Sequence, residues 1–174
     1  RDAYYAGVSY GTFDLTRILR VIRPYNDKIV FDFSGMHAVE DYIVSRYQMY
    51  MQVYFHPVSR GMEQILKSLL VRAKWCYQQD DIHMKTPIGL LEPFLFENWT
   101  IEDYLRLDDS VVNSYFVHWS QEDDRILADL ANRFLDRKPF KSILVNEKEA
   151  TQLSIAVTEE LFNLTYDPTY YFSE

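Results

Sequence analysis

The chain has 174 residues, 48% hydrophobic and 25% charged with only 5 Gly and 6 Pro, a composition that excludes disordered, collagen-like and low-complexity polypeptides. Its 18 Lys and Arg against 26 Asp and Glu leave a formal charge of −8, which argues against broad nucleic-acid binding while leaving room for a local phosphate pocket. A single cysteine, Cys76, offers neither an internal disulfide nor a paired-cysteine metal site, and no apolar run is long enough to span a membrane, so the expectation is a cytoplasmic protein without membrane partners.

In chain order, Arg1 to Tyr5 reads as the end of a helix that stops near Gly7. Asp14 then caps a short helix with a core-facing stripe of Leu15, Ile18, Leu19 and Ile22, closed by Pro24. Lys28 to Phe33 reads as a short strand or extended segment. Ala38 to Phe55 is a long helical pattern with so few polar gaps that much of its surface should be buried. After Pro57 a second helix runs to about Gln78, with Met62, Ile65, Leu66, Leu69, Leu70 and Ala73 on one side and Arg60, Lys67, Arg72 and Lys74 elsewhere. Residues 79–98 form a connector whose apolar residues must dock. Thr100 starts one helix, Asp108-Asp109-Ser110 another through Trp119, and Ser120 to Leu135 a third. Phe140 to Val145 reads as a strand and Glu147 to Phe162 as a helix. The class is mainly α-helical with small β additions. The opening Arg1 and the closing Tyr170-Tyr171-Phe172-Ser173-Glu174 both look cut from something longer.

His37, His56, His83 and His118 lack metal-ligand spacing, and no glycine-rich phosphate loop or nucleophile elbow is present. What stands out is Arg46 on a strongly apolar helix, where burial would be costly without an anion, and where the planar guanidinium suits phosphate oxygens. Tyr50 and Tyr54 lie one and two turns further on, so the three can line one wall, phosphate at one end and a sugar or base on a Tyr ring at the other. An ion pair of Arg46 with Glu40 or Asp41, with the tyrosines as core, satisfies the same periodicity.

The runs Arg1-Asp2-Ala3-Tyr4-Tyr5-Ala6-Gly7-Val8-Ser9-Tyr10-Gly11, Gly35-Met36-His37-Ala38-Val39-Glu40-Asp41-Tyr42, Arg46-Tyr47-Gln48-Met49-Tyr50 and Tyr54-Phe55-His56 resemble the bacterial HD-domain deoxynucleoside triphosphate triphosphohydrolases. These are relatives of the vertebrate SAM-and-HD-domain enzyme that depletes cellular dNTPs. The resemblance is strong over the first 75 residues and continues in shorter matches such as Leu107-Asp108-Asp109-Ser110 and Arg137 to Lys141. It implies an HD-type helical bundle. Residues 1–78 would be the C-terminal part of the catalytic core, carrying one wall of the dNTP pocket, and residues 79–174 a helical and β extension truncated at its C-terminal end. The implied reaction converts a dNTP to a deoxynucleoside and inorganic triphosphate, with a divalent metal held by an H…HD…D set. No His-Asp dipeptide occurs here, so metal ligands and catalytic residues are expected upstream, and the chain is expected to be an inactive internal segment.

Residue by residue, the resemblance assigns Asp2 to the deoxyribose 3′-OH, Arg46 to the γ-phosphate, and Tyr54 to a position under the sugar, where a 2′-OH would collide. Tyr50 stands where the vertebrate relative has His. The family is activated by nucleotides of dGTP or GTP type bound between subunits of a homotetramer. Asp14 and Arg17 match effector contacts, as do His56, Arg137 and Lys141. Two other readings remain at this level: a non-catalytic helical nucleotide-sensing or interaction module, and an HD hydrolase of another phosphorylated nucleoside.

Overall fold

A computed structural model describes residues 2–173, so Arg1 and Glu174 of the expected terminal elements lie outside the described residues. The chain divides into two compact units that meet between Ser59 and Arg60. It is mainly α-helical, with a two-stranded sheet.

In the first unit, α1 (Asp2–Ala6) ends at Gly7, whose φ of +67° favours a residue without Cβ. α2 (Leu15–Val21) begins where the Asp14 carboxylate accepts the Arg17 N–H at 2.9 Å, as the sequence suggests. The helix stops three residues before Pro24, because Ile22 opens a hairpin instead. β1 (Ile22–Tyr25) pairs antiparallel with β2 (Lys28–Phe31) through a two-residue loop, Asn26-Asp27, with φ of +48° and +58°. Pro24 is tolerated because a two-stranded sheet consists of edges. A 3₁₀ turn (Phe33–Gly35) leads into α3 (Met36–Met49), and Tyr50–Tyr54 continues it as a π-turn closed by the Phe55 N–H donating to the Tyr50 carbonyl at 2.7 Å.

The expected burial of α3 is not observed. Ser45 and Met49 are its buried residues, while Tyr42, Ile43, Val44 and Tyr47 are exposed; Leu15 and Leu19 of α2 are likewise exposed, leaving Ile18 and Val21 in the core. A unit of this size has too little interior to enclose all its apolar side chains. What core it has is tight. Gly35 packs against Val21, and the Ser45 hydroxyl donates to the Thr12 carbonyl at 3.1 Å.

The second unit is built on α4 (Pro57–Gln78), from which Ile65, Leu69, Ala73 and Cys76 enter the core as the sequence periodicity requires. Burial pushes the Cys76 thiol up to about 11, so it acts as a small apolar residue. The connector docks through Leu91, at the end of a 3₁₀ turn (Gly89–Leu91), and Leu95, at the end of α5 (Glu92–Leu95). α6 (Ile101–Arg106), α7 (Asp109–Trp119), α8 (Arg125–Leu135), α9 (Glu147–Asn163) and α10 (Pro168–Tyr171) complete the unit. Thr100, Asp108, Asp124, Asn146 and Asp167 cap them, each accepting a first-turn backbone N–H. Phe116, Trp119, Leu127, Leu130 and Tyr170 join the core, and Phe116 meets Phe134 edge to face at 4.9 Å.

The structure departs from the sequence expectation at two places. The third helix starts at Arg125, not Ser120, because Glu122 turns inward to accept the Lys85 and Thr86 N–H groups at 3.0 and 2.8 Å, and Asp124 serves as the cap. Residues 140–145 form no strand: Phe140 packs on the core, but Lys141 to Val145 has no neighbouring strand among the described residues and stays irregular. Three helix ends also place a non-glycine residue in the left-handed region, Glu97, Arg137 and Thr165, with φ of +61°, +55° and +64°. At each, the following N–H closes back on the helix, as Lys138 does to the Arg133 carbonyl at 2.9 Å.

Candidate nucleotide-binding wall

Asp2, Arg46, Tyr50 and Tyr54 form one continuous row in the first unit. The Arg46 guanidinium reaches the Tyr50 hydroxyl at 3.5 Å and lies 5.6 Å from that ring's centroid, one helical turn away. The Tyr50 and Tyr54 rings are 5.3 Å apart and inclined at 45°. The Tyr54 hydroxyl donates to the Asp2 carboxylate, which raises the pKa of the phenol above its ordinary value and keeps it the donor. Tyr50 and Tyr54 are 38% and 43% exposed.

The local sequence explains the row. Arg46 to Tyr50 is an i, i+4 step on α3, and the π-turn at Tyr50–Tyr54 widens the helix where it must end before Pro57. Gly7 ends α1 shortly after Asp2. The arrangement offers a permanent cation at one end, a carboxylate acceptor at the other and aromatic faces between them.

Contrary to the expectation of costly burial, Arg46 is exposed, and desolvation is the smallest influence on its guanidinium. Nor does it form the alternative ion pair. Among the described residues Arg46 has no carboxylate partner, and Glu40 is paired with His37 at 3.1 Å; hydrogen bonds from Arg46 to the Tyr50 and Tyr42 hydroxyls hold the guanidinium charged. Asp41 forms no ion pair among the described residues.

The remaining residues singled out from the sequence have contacts of their own. Asp14 is occupied as the α2 cap, and the Arg17 guanidinium donates to the Ser34 carbonyl at 2.9 Å. His56 Nδ1 accepts the Val58 N–H at 3.3 Å at the start of α4. Arg137 and Lys141 belong to the second unit, Arg137 in the left-handed turn after α8 and Lys141 exposed in the irregular segment beyond it. No group of three or more His, Cys, Asp or Glu side chains among the described residues is arranged to hold a metal ion.

The second unit also holds a polar network that no local sequence pattern announces as a whole. Arg72 and Asp124 form a largely buried ion pair, and the Arg72 guanidinium carbon lies 4.0 Å from the Trp75 ring centroid and 5.1 Å from that of Tyr170. Asp129 accepts from Arg133 at 2.7 Å and from the Tyr171 hydroxyl at 2.8 Å. The available signal was the pair Asp124 and Leu127, a cap followed by an apolar first turn.

Residues 13–87 match the family described as HD associated region. Over 93% of its length the chain superposes on 44% of a phosphohydrolase from Bacteroides thetaiotaomicron, with a TM-score of 0.72 and 27% identity. These two likenesses support an HD-type family. A hypothetical protein from Aquifex aeolicus shares the fold at a TM-score of 0.61 and 32% identity, over 92% of this chain and 37% of that one. The uncharacterised protein YwfO of Bacillus subtilis is 48% identical over 98% of the chain, which spans 39% of YwfO. A second uncharacterised relative, from Methanocaldococcus jannaschii, is 33% identical over 56% of the chain and 24% of its own length. The matched residues 13–87 include Arg46, Tyr50 and Tyr54, while Asp2 precedes them. Among the described residues no helix is long and apolar enough to cross a membrane.

Proposed function

We propose that the chain is part of an HD-type hydrolase that converts a dNTP to a deoxynucleoside and inorganic triphosphate, and that the Asp2, Tyr54, Tyr50 and Arg46 row is one wall of its substrate pocket. The observation that carries this reading is the order of the row: a carboxylate acceptor, two tyrosine rings and a guanidinium, the sequence of groups along a sugar and its phosphates. Asp2 accepts from the sugar 3′-OH, Tyr54 packs beneath the sugar, Tyr50 extends the aromatic face, and Arg46 meets terminal phosphate oxygens. The described residues do not supply a divalent-metal site, so their part is to bind and orient. On the same reading Asp14, Arg17, His56, Arg137 and Lys141 serve an activating nucleotide between subunits of a homotetramer.

The test is dGTP binding by calorimetry, without turnover. Arg46→Ala should weaken it by roughly tenfold to a hundredfold, the loss of about 1.5 to 3 kcal/mol for a charge-assisted hydrogen bond, with Arg46→Lys intermediate. Binding of deoxyguanosine, which lacks phosphates, should be unaffected by Arg46→Ala. Tyr54→Ala should narrow the preference for dGTP over GTP. Unchanged dGTP affinity in Arg46→Ala overturns the assignment.

A further inference from the structure

The segment that precedes α2 is tied to α3 at three successive residues. A Cβ at Gly11 would lie 3.0 Å from the Met49 side chain, the Thr12 carbonyl accepts from the Ser45 hydroxyl at 3.1 Å, and the Phe13 ring meets Tyr42 edge to face at 4.9 Å and 74°. The next residue, Asp14, is held as the α2 cap. Phe13 therefore sits between two fixed neighbours, and it fixes the Tyr42 ring in turn.

Tyr42, Arg46 and Tyr50 follow one another at single helical turns, about 5.4 Å apart along the axis. The Arg46 guanidinium hydrogen-bonds to both phenol oxygens, Tyr50 one turn ahead and Tyr42 one turn behind. The Tyr50 ring leans on Tyr54 and Phe55 of its own stretch, whereas Tyr42 is anchored by a residue from another segment. A phenol that accepts from a guanidinium keeps its own O–H for a second acceptor, so both hydroxyls remain donors beside the cation. A guanidinium already held in place also loses less freedom when an anion fixes it.

We propose that Tyr42 is a positioning residue for Arg46: anchored by Phe13, its hydroxyl holds the guanidinium fork from the turn before, as Tyr50 does from the turn after, and aims it at the terminal phosphate oxygens. The inference rests on the reading of the Asp2, Tyr54, Tyr50 and Arg46 row as a substrate wall. It adds that phosphate recognition depends on a residue outside that row, acting through Arg46.

The test is a double-mutant cycle of Tyr42→Phe and Arg46→Ala in the full-length protein, read as dGTP binding by calorimetry without turnover. Tyr42→Phe keeps the ring against Phe13 and removes only the hydroxyl. It should weaken dGTP binding by about threefold to tenfold, the range of one neutral hydrogen bond, leave deoxyguanosine binding unchanged, and have no further effect once Arg46 is Ala. Phe13→Leu, which frees the Tyr42 ring, should weaken dGTP binding in the wild type and not in Tyr42→Phe. Undiminished dGTP affinity in Tyr42→Phe, alongside a loss in Arg46→Ala, overturns the role of Tyr42 and leaves the wall standing. An equal loss from Tyr42→Phe with and without Arg46 also overturns it, since the hydroxyl would then act without the guanidinium. No loss in Arg46→Ala overturns the wall reading, and the inference with it.

Discussion

Arg72 on α4 and Asp124 at the start of α8 meet in a two-point ion pair, Nη2 to Oδ2 at 2.6 Å and Nε to Oδ1 at 3.1 Å, with both side chains 13% exposed. Asp124 Oδ1 also accepts the Leu127 N–H at 2.8 Å, so one carboxylate both starts α8 and binds it to α4. The Arg72 guanidinium in turn lies between Trp75 and Tyr170, bringing the last helix into the same core.

Arg72→Met should therefore destabilise the second unit by about 3 to 5 kcal/mol, because it leaves a largely buried carboxylate without its cation. Urea unfolding followed by helical circular dichroism measures this. A loss below about 1 kcal/mol would show the pair to be no stronger than a surface salt bridge.

The same pair dictates an acid response. Burial raises the Asp124 carboxyl pKa, but the Arg72 hydrogen bonds and the Leu127 N–H outweigh burial and hold it below the ordinary carboxylate range. A lowered folded pKa favours folding above the unfolded carboxyl value of about 3.9, and that contribution disappears as pH falls through the folded value. The stability gap between the wild type and Arg72→Met should thus be full at neutral pH and shrink as pH drops below about 4. Parallel urea titrations at several pH values check it; a gap constant across that range would mean that packing, not charge, accounts for the loss.

Gly35→Ala tests the core of the first unit. A Cβ at Gly35 would lie 2.4 to 2.7 Å from the side-chain carbons of Val21, which is buried on α2. Overpacking of this kind costs about 1 to 3 kcal/mol. Restoring room with Val21→Ala in the double variant should recover part of the loss, read as a positive coupling in thermal unfolding. Equal stability of Gly35→Ala and the wild type would show that the Val21 contact gives way freely.

Local signals carried far through this chain. The caps at Asp14, Thr100 and Asp108, and the periodicity of α4, were legible because a cap bonds within three residues and an amphipathic face repeats every 3.6. The i, i+4 relation of Arg46, Tyr50 and Tyr54 was likewise a property of one stretch of backbone. What sequence could not determine depended on partners remote along the chain. Tyr54 found Asp2 52 residues away, and Arg72 found Asp124 at the same separation, so neither pairing leaves a periodic trace. Ser120 to Asp123 lost its helix to the inward turn of Glu122, and Lys141 to Val145 lost its strand for want of a neighbour to pair with. The exposed apolar face of α3 shows the same limit: periodicity determined that the face is apolar, while only the tertiary structure decided which of its residues, Ser45 and Met49, have anything to pack against.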